Sequence, residues 1–294
     1  MTEKDLSVGY TNFEKMLRAA LELPGVGIDR AAFLRRELSK FCDDDVINEA
    51  IAKNPAQAGI SNRTIDSIAK ACINYETRKV SAISAVAGLP GGLAMIATVP
   101  ADAAQFFGHV VRILQKLAFL YGWEDIFKKN GDGLDDETTN ELTLFLGVMF
   151  GVNAANTALS RVAGLAAVGV EKMLLKQALT KGTIYPIVKK IAAIIGVKMT
   201  KATFAKGIGK VIPVVGAAAS GVITLAIFKP MATRLKNYLA TLPMANNDFY
   251  KKPHDVVDVG GIDFSDIEVD DTDVVELDNL ENISEVDGNS IDND

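Results

Sequence analysis

The 294-residue chain is poor in the side chains that carry most enzyme chemistry, with two cysteines, two histidines and one tryptophan. Cys42 and Cys72 show no recognisable pairing pattern, which argues against a disulfide framework and is typical of a reducing compartment. Neither cysteine has a neighbouring histidine or cysteine, so the sequence predicts no metal site. We expect His109 to be an ordinary surface or hydrogen-bonded histidine, and His254 lies at the edge of a polar tail. The sequence therefore predicts no cofactor and no enzyme activity.

Two further patterns are missing. The amino terminus lacks a basic segment followed by an apolar stretch, so we predict no secretory signal and expect a cytoplasmic protein. Alternation of β-branched and polar residues is absent before the tail, which argues against a sheet.

Helical periodicity instead predicts an all-α, Gly/Ala-rich multi-helix bundle. The predicted helices lie near Asn12–Leu21, Asp29–Phe41, Asp43–Lys53, Asn62–Val86, 102–122, Asp136–Gly151, Asn153–Leu165, Val170–Leu179, Thr183–Ile195 and Ile212–Leu239. In the strongest, 102–122, Asp102 is the predicted N-cap and Gly122 ends the helix. A break at Pro230 is an alternative for the last one.

Three long runs contain no charged residue: 80–101, 142–160 and 211–228. An 18-residue helix is about 27 Å long, close to the roughly 30 Å of a bilayer core. However, Ala, Gly, Ser, Thr and Asn fill much of each run, so buried helices are predicted rather than spans. Pro90 and Pro100 favour two short kinked helices or a re-entrant hairpin in the first run.

Small residues recur four apart in all three runs, which places each pair on one helix face and predicts close helix crossings. The pairs are Gly88 and Gly92, Gly147 and Gly151, and Ala217 and Gly221.

Charge divides the chain into two parts. Residues 254–294 hold 15 of the 37 acidic residues and no Lys or Arg, which leaves 31 basic and 22 acidic residues, a net +9, in residues 1–253. We therefore predict a basic helical domain over 1–253 and a largely disordered acidic tail over 254–294. Apolar residues alternate with the acids, so the tail is either a docking segment or a solvated extension.

The basic residues are concentrated between Lys172 and Lys252, a stretch that contains fourteen Lys and Arg and only one acidic residue, Asp248. Such a density favours an anionic partner, with the protein's own tail as a competitor. Nucleic acid is not expected, because the lysines alternate with Ile, Val and Ala rather than with stacking aromatics. The candidate residues for anionic-surface binding are Lys189, Lys190, Lys198, Lys201, Lys206 and Lys210.

Several short motifs follow one another in a fixed order. They are Leu23-Pro24-Gly25, Gly88-Leu89-Pro90-Gly91-Gly92, Pro100-Ala101-Asp102, Arg112-Ile113, Tyr121-Gly122-Trp123-Glu124 and the GKVIPVVG stretch over 209–216. Together they resemble the EcsC family of bacterial proteins over roughly residues 10 to 240. The chain departs from the family pattern at Glu124, where the family usually has Asp, and in its acidic tail.

The resemblance implies a helical protein without an established activity, and it supplies no catalytic residues. The family-motif positions are Gly88, Pro90, Gly91, Gly92, Asp102, Arg112, Gly122, Pro213 and Gly216. Of the polar ones, we expect a helix N-cap at Asp102 and a helix-face contact at Arg112.

These observations favour a non-enzymatic cytoplasmic protein that associates peripherally with an anionic membrane surface or membrane complex at the inner face of the membrane. One alternative is a soluble interaction module that acts through its acidic tail. Another is a membrane-inserting, pore-forming or toxin-like protein. The sequence leaves the oligomeric state open.

Overall fold

A computed structural model of the chain describes residues 2–87, 99–124, 136–169, 184–207, 216–251 and 264–269. These residues form α-helices and no strand, which confirms the predicted all-α class. The helices are α1 (Glu3–Glu22), α2 (Arg30–Leu38), α3 (Asp44–Ala52), α4 (Asn62–Ala87), α5 (Val99–Leu120), α6 (Asp136–Met149), α7 (Asn153–Ala167), α8 (Ile184–Gly207), α9 (Gly216–Leu239) and α10 (Asn247–Tyr250). A 3-10 turn at Pro243–Ala245 precedes α10.

Helix α5 is the centre of the bundle. It packs against α1, α2, α4, α6 and α9, while the two longest helix pairings are α1 with α8 and α4 with α9. From Val110 to Leu120 its apolar side chains are fully buried or nearly so. A helix that is apolar on most of its circumference is stable only inside a bundle, which explains its position.

A buried glutamine attaches the loop between α1 and α2 to α5. Gln115 accepts a hydrogen bond from the Ile28 amide at 3.0 Å and donates to the Val26 carbonyl at 2.8 Å. Because an unpaired buried amide is costly, this loop is held against α5.

Arg30 joins three helix ends. Its guanidinium donates to the carbonyls of Ile51 at 2.7 Å and Lys53 at 3.0 Å, at the end of α3, and to the Trp123 carbonyl at 3.1 Å, after α5. The last carbonyls of a helix lack internal partners and carry partial negative charge, so a cation stabilises them. Arg30 therefore fixes α2 and α3 at the end of the central helix.

The main differences from the prediction are the starts of α1 and α5 and the end of α8, which continues to Gly207 rather than ending near Ile195. Helix α1 begins at Glu3 rather than near Asn12, because Thr2 and Asp5 form a capping box with bonds of 3.1 and 3.2 Å. Helix α5 begins at Val99, so the predicted N-cap at Asp102 is wrong and this residue lies in the first turn.

The prolines in α5 and α9 do not interrupt these helices. Pro100 is tolerated because it lies in the first turn of α5, where its missing N–H has no helical partner to lose. Helix α9 continues through Pro230, so the alternative of a break there is not observed. The helix predicted at Val170–Leu179 lies outside the described residues.

The second uncharged run forms two helices that pack on each other, the end of α6 and the start of α7. A Cβ at Gly147 would lie 2.5 Å from the Ala155 Cβ and 2.8 Å from the Ile191 Cγ2, so the predicted close crossing is confirmed there. Gly151 has φ +76° and lies in the turn after α6, so its predicted pairing with Gly147 on one helix face is wrong.

The other two runs are described only in part. Gly88 and Gly92 lie outside the described residues, and Ala217 and Gly221 lie on the backbone of α9. Among the helices that the structure describes, none is both long and apolar enough to cross a bilayer.

Candidate functional site

A charged cluster lies at the interface between α4 and α5. Glu76 of α4 is fully buried, and its Oε1 accepts hydrogen bonds from Lys116 Nζ at 2.6 Å and Arg112 Nε at 3.4 Å. Its Oε2 lies 2.9 Å from His109 Nδ1. The three partners are spaced three and four residues apart on α5, which places them on one face of that helix.

The cluster holds Glu76 in its ionised form. Burial alone would raise the pKa of Glu76, but hydrogen bonds from His109 and Lys116 and the charges of Lys116 and Arg112 lower it to about 2. An ionised carboxylate only accepts hydrogen bonds, so the Nδ1 of His109 carries the proton and donates.

The cluster extends to the surface through Tyr75. The Nζ atoms of Lys116 and Lys79 lie 5.3 and 5.1 Å from the centroid of its ring, within cation–π range. The arrangement supplies fixed positive charge next to an exposed aromatic ring. It also confirms Arg112 as a helix-face contact and His109 as a hydrogen-bonded histidine.

Sequence reasoning found Arg112 and His109 and missed Glu76 and Lys116. A signal for Glu76 was present, because the buried residues Ala69, Cys72, Ile73 and Val80 recur around it at helical spacing. An acid within such an apolar face needs a buried cationic partner.

A second arrangement joins α7 and α8 to the tail segment, residues 264–269. Arg161 of α7 donates from Nη1 and Nη2 to the two carboxylate oxygens of Asp266, both at 2.5 Å. Its guanidinium carbon lies 5.9 Å from the centroid of the Phe264 ring. Lys190 of α8 donates to the carbonyl of Val269.

The tail segment is also anchored by apolar burial. Phe264 is 0% exposed, and Ile267 and Val269 are 9% and 8% exposed. All three belong to the main hydrophobic core, whereas Asp266 and Glu268 are exposed. This part of the tail therefore combines buried apolar side chains with outward-facing acids.

Five of the six predicted surface lysines lie on α8, and Lys210 lies outside the described residues. At about 100° per residue, Lys190, Lys198 and Lys201 fall within about 80° of one another around the helix, whereas Lys189 and Lys206 fall elsewhere. Lys189 is exposed, and its Nζ lies 5.2 Å from the centroid of the Tyr10 ring. The helix thus brings three of the six to one side.

The motif positions behind the family resemblance are brought together in part. The Nη1 of Arg112 would lie 3.7 Å from a Cβ at Gly25, so the first motif reaches the charged cluster. Gly122 has φ +100°, and a Cβ there would lie 2.8 Å from the Met244 carbonyl oxygen, so the chain turns closely past it. Gly216 begins α9. Gly88, Pro90, Gly91, Gly92 and Pro213 lie outside the described residues.

Within the described ranges, no three or more His, Cys, Asp or Glu side chains are grouped as metal ligands. Comparison with protein-family models, with curated proteins and with solved structures gives no match for this chain, so the resemblance to the EcsC family stays a prediction based on its motifs.

Proposed function

We propose that this is a non-enzymatic helical protein that associates peripherally with an anionic membrane surface or membrane complex at the cytoplasmic face. The basic groups of α7 and α8 bind that surface, and the tail segment competes with it. The observation that carries the proposal is the engagement of Arg161 by Asp266 and of Lys190 by the Val269 carbonyl. These cations already bind an acidic segment of the same chain.

Lipid phosphate offers the same acceptor chemistry as the Asp266 carboxylate. Arginine binds both groups with two parallel N–H bonds, and each basic residue near an anionic leaflet adds about 1 kcal/mol of attraction. The Asp266 side chain is 66% exposed, so solvent and salt screen its ion pair with Arg161. A membrane carrying many phosphates is therefore able to displace it.

Flotation of the full chain with vesicles of phosphatidylglycerol and phosphatidylcholine at low salt tests the proposal. Asp266→Asn removes the charge that occupies Arg161, so we expect it to increase the fraction that floats. Glu268→Gln is the matched control, because it removes the same charge from an exposed residue of the same segment. An equal effect of the two variants would show that net charge alone matters.

A second pair of variants tests directly whether the basic groups of α8 bind the vesicles. Lys201→Gln, on the same side of α8 as Lys190, should weaken vesicle binding roughly fivefold, which corresponds to about 1 kcal/mol. Lys40→Gln, which removes an exposed lysine outside α8, is the control and should bind like the parent chain.

The proposal fails if the parent chain does not float at low salt. Dye release would instead support the inserting alternative, and capture of a protein by the tail would support the interaction module.

A further inference from the structure

An open polar cleft of about 430 Å³ lies between α4 and α9, and its lining includes none of the basic residues of α7 and α8 and no residue of the tail segment. Its lining is Lys70, Ile73 and Asn74 from α4 and Lys229, Thr233, Lys236 and Asn237 from α9. Residues three, four, seven and eight apart share one helix face. The cleft is therefore built by the facing sides of two helices that pack along each other.

The cleft carries an excess of positive charge. Asp66 forms ion pairs with two lysines of the cleft. Its Oδ2 lies 2.8 Å from Lys70 Nζ, and its Oδ1 accepts a hydrogen bond from Lys236. Lys236 is 7% exposed, so its ammonium group is fixed in place. Lys229 is exposed and makes no ion pair in the part of the chain that the structure describes. The cleft thus holds three ammonium groups and one adjacent carboxylate, which is shared by Lys70 and Lys236, and this leaves two positive charges.

Neutral hydrogen-bond donors complete the lining. The side chains of Asn74, Thr233 and Asn237 make no hydrogen bond to one another or to other described residues. Thr233 lies one helical turn from both Lys229 and Lys236, so its hydroxyl group is on the same face as the two ammonium groups. Amide N–H and hydroxyl groups add directional donors to the lysine charges.

We propose that this cleft binds a phosphomonoester. A phosphate group carries about two negative charges at neutral pH and three terminal oxygens that are strong acceptors. It therefore matches the excess of two charges and can accept bonds from several of these donors at once, whereas one carboxylate would balance half of that excess. Lysine binds phosphate as a point charge, and the volume lies within the roughly 300–1,000 Å³ of small-ligand sites.

Calorimetric titration of the full chain with inorganic phosphate and with glycerol phosphate tests the site. Both should bind, and Lys229→Gln should weaken that binding at least tenfold. Lys53→Gln is the matched control: it removes an exposed, ion-paired lysine directly after α3 and should change the dissociation constant less than twofold. Thermal melting checks that each variant remains folded. Thr233→Val, which keeps the charge and the shape, should weaken binding severalfold.

Flotation with vesicles that contain phosphatidic acid shows whether the phosphate group belongs to a lipid headgroup or to a soluble ester. Tighter binding to these vesicles than to soluble glycerol phosphate, lost in Lys229→Gln, identifies a lipid headgroup. Tighter binding of the soluble ester identifies a free ligand. The inference is overturned if none of the three probes binds, or if Lys229→Gln binds them like the parent chain. Asp266→Asn should leave the calorimetric result unchanged, so this site and the membrane proposal can fail separately.

Discussion

At the scale of single residues, the charged cluster depends on one buried acid. Glu76 accepts bonds from side chains of α5, and Lys116, which donates at 2.6 Å, is itself almost completely buried. A buried charge is tolerated only while its counter-charge is present.

Replacing Glu76 by Gln should lower the free energy of unfolding by about 3–5 kcal/mol, because Lys116 would then be buried without a counter-charge. Urea denaturation followed by circular dichroism measures the loss. Glu49→Gln is the control, because this exposed carboxylate pairs with Lys53 on the surface and its removal should cost less than about 1 kcal/mol. A loss of less than about 1 kcal/mol for Glu76→Gln would contradict the role given to this residue.

The same carboxylate predicts an acid-sensitive stability. Its pKa in the folded protein, about 2, lies below the ordinary 4.5, so folding favours the ionised form. This contribution, roughly 3 kcal/mol, is fully present above the ordinary pKa and is lost as the pH falls through the folded-state pKa. Denaturation at several values from pH 5 to 2 should show the decline in the parent chain and a flatter profile in Glu76→Gln.

At the scale of secondary-structure elements, α1 and α8 touch backbone to backbone. A Cβ at Gly196 would lie 1.9 Å from the Gly9 carbonyl oxygen, and one at Gly9 would lie 2.3 Å from the Ala193 carbonyl oxygen. A main chain cannot move aside as a side chain can, so this crossing requires glycine on both helices.

Gly196→Ala should therefore destabilise the protein by about 1–3 kcal/mol, the range for overpacking a buried contact. Gly164→Ala in α7 is the opposite case, because nothing lies within 4 Å of the added methyl group. There the substitution should stabilise by about 0.5–1 kcal/mol through helix propensity and a less flexible unfolded chain. Thermal melting compares the two variants with the parent chain. Shifts of the melting temperature in the same direction would contradict the close backbone contact between α1 and α8.

At the scale of the whole molecule, the tail segment contacts α7 and α8 far from its place in the sequence. Its attachment combines buried Phe264 with the bonds from Arg161 to Asp266 and from Lys190 to Val269. Because the segment follows α10, the last helix among the described residues, its release does not require that these helices separate. We therefore expect it to open locally rather than with the whole protein.

Phe264→Ala should release the segment and increase amide hydrogen exchange across 264–269, while the cooperative melting of the helices changes little. Hydrogen exchange measured by mass spectrometry gives the local rate, and calorimetry gives the melting temperature. Glu268→Ala, at the exposed position directly before Val269, is the control and should exchange like the parent chain. Unchanged exchange in Phe264→Ala would show that the burial of this ring does not hold the segment.

The sequence predicts those features that have local signals. Helices α2, α3 and α4 were predicted to within a few residues, because Asp29, Asp43 and the Asn54-Pro55 turn mark their ends. The start of α1 was missed because Thr2 is followed by Asp5 rather than by the usual Glu or Gln of a capping box.

Long-range partners had no such signal. Glu76 and His109 are 33 residues apart, and Arg161 and Asp266 are 105 apart, so only the packed bundle brings them together. The cleft was likewise invisible in the sequence, since Lys70 and Lys229 come from helices that no pattern pairs. Arg112 was found through its motif, whereas the acid it contacts was not.

The attachment of the tail has a consequence for competition with other anions. Only 12 residues separate Lys251 from Phe264, so the acidic segment is tethered beside its own basic site. A short tether of this kind corresponds to an effective concentration of order millimolar. A dilute, weakly binding polyanion cannot match that concentration, whereas the membrane surface of the proposed function presents many phosphates at once. Under the proposed function, the covalent tether therefore sets a threshold of local charge density, below which Arg161 and Lys190 stay bound to the tail segment.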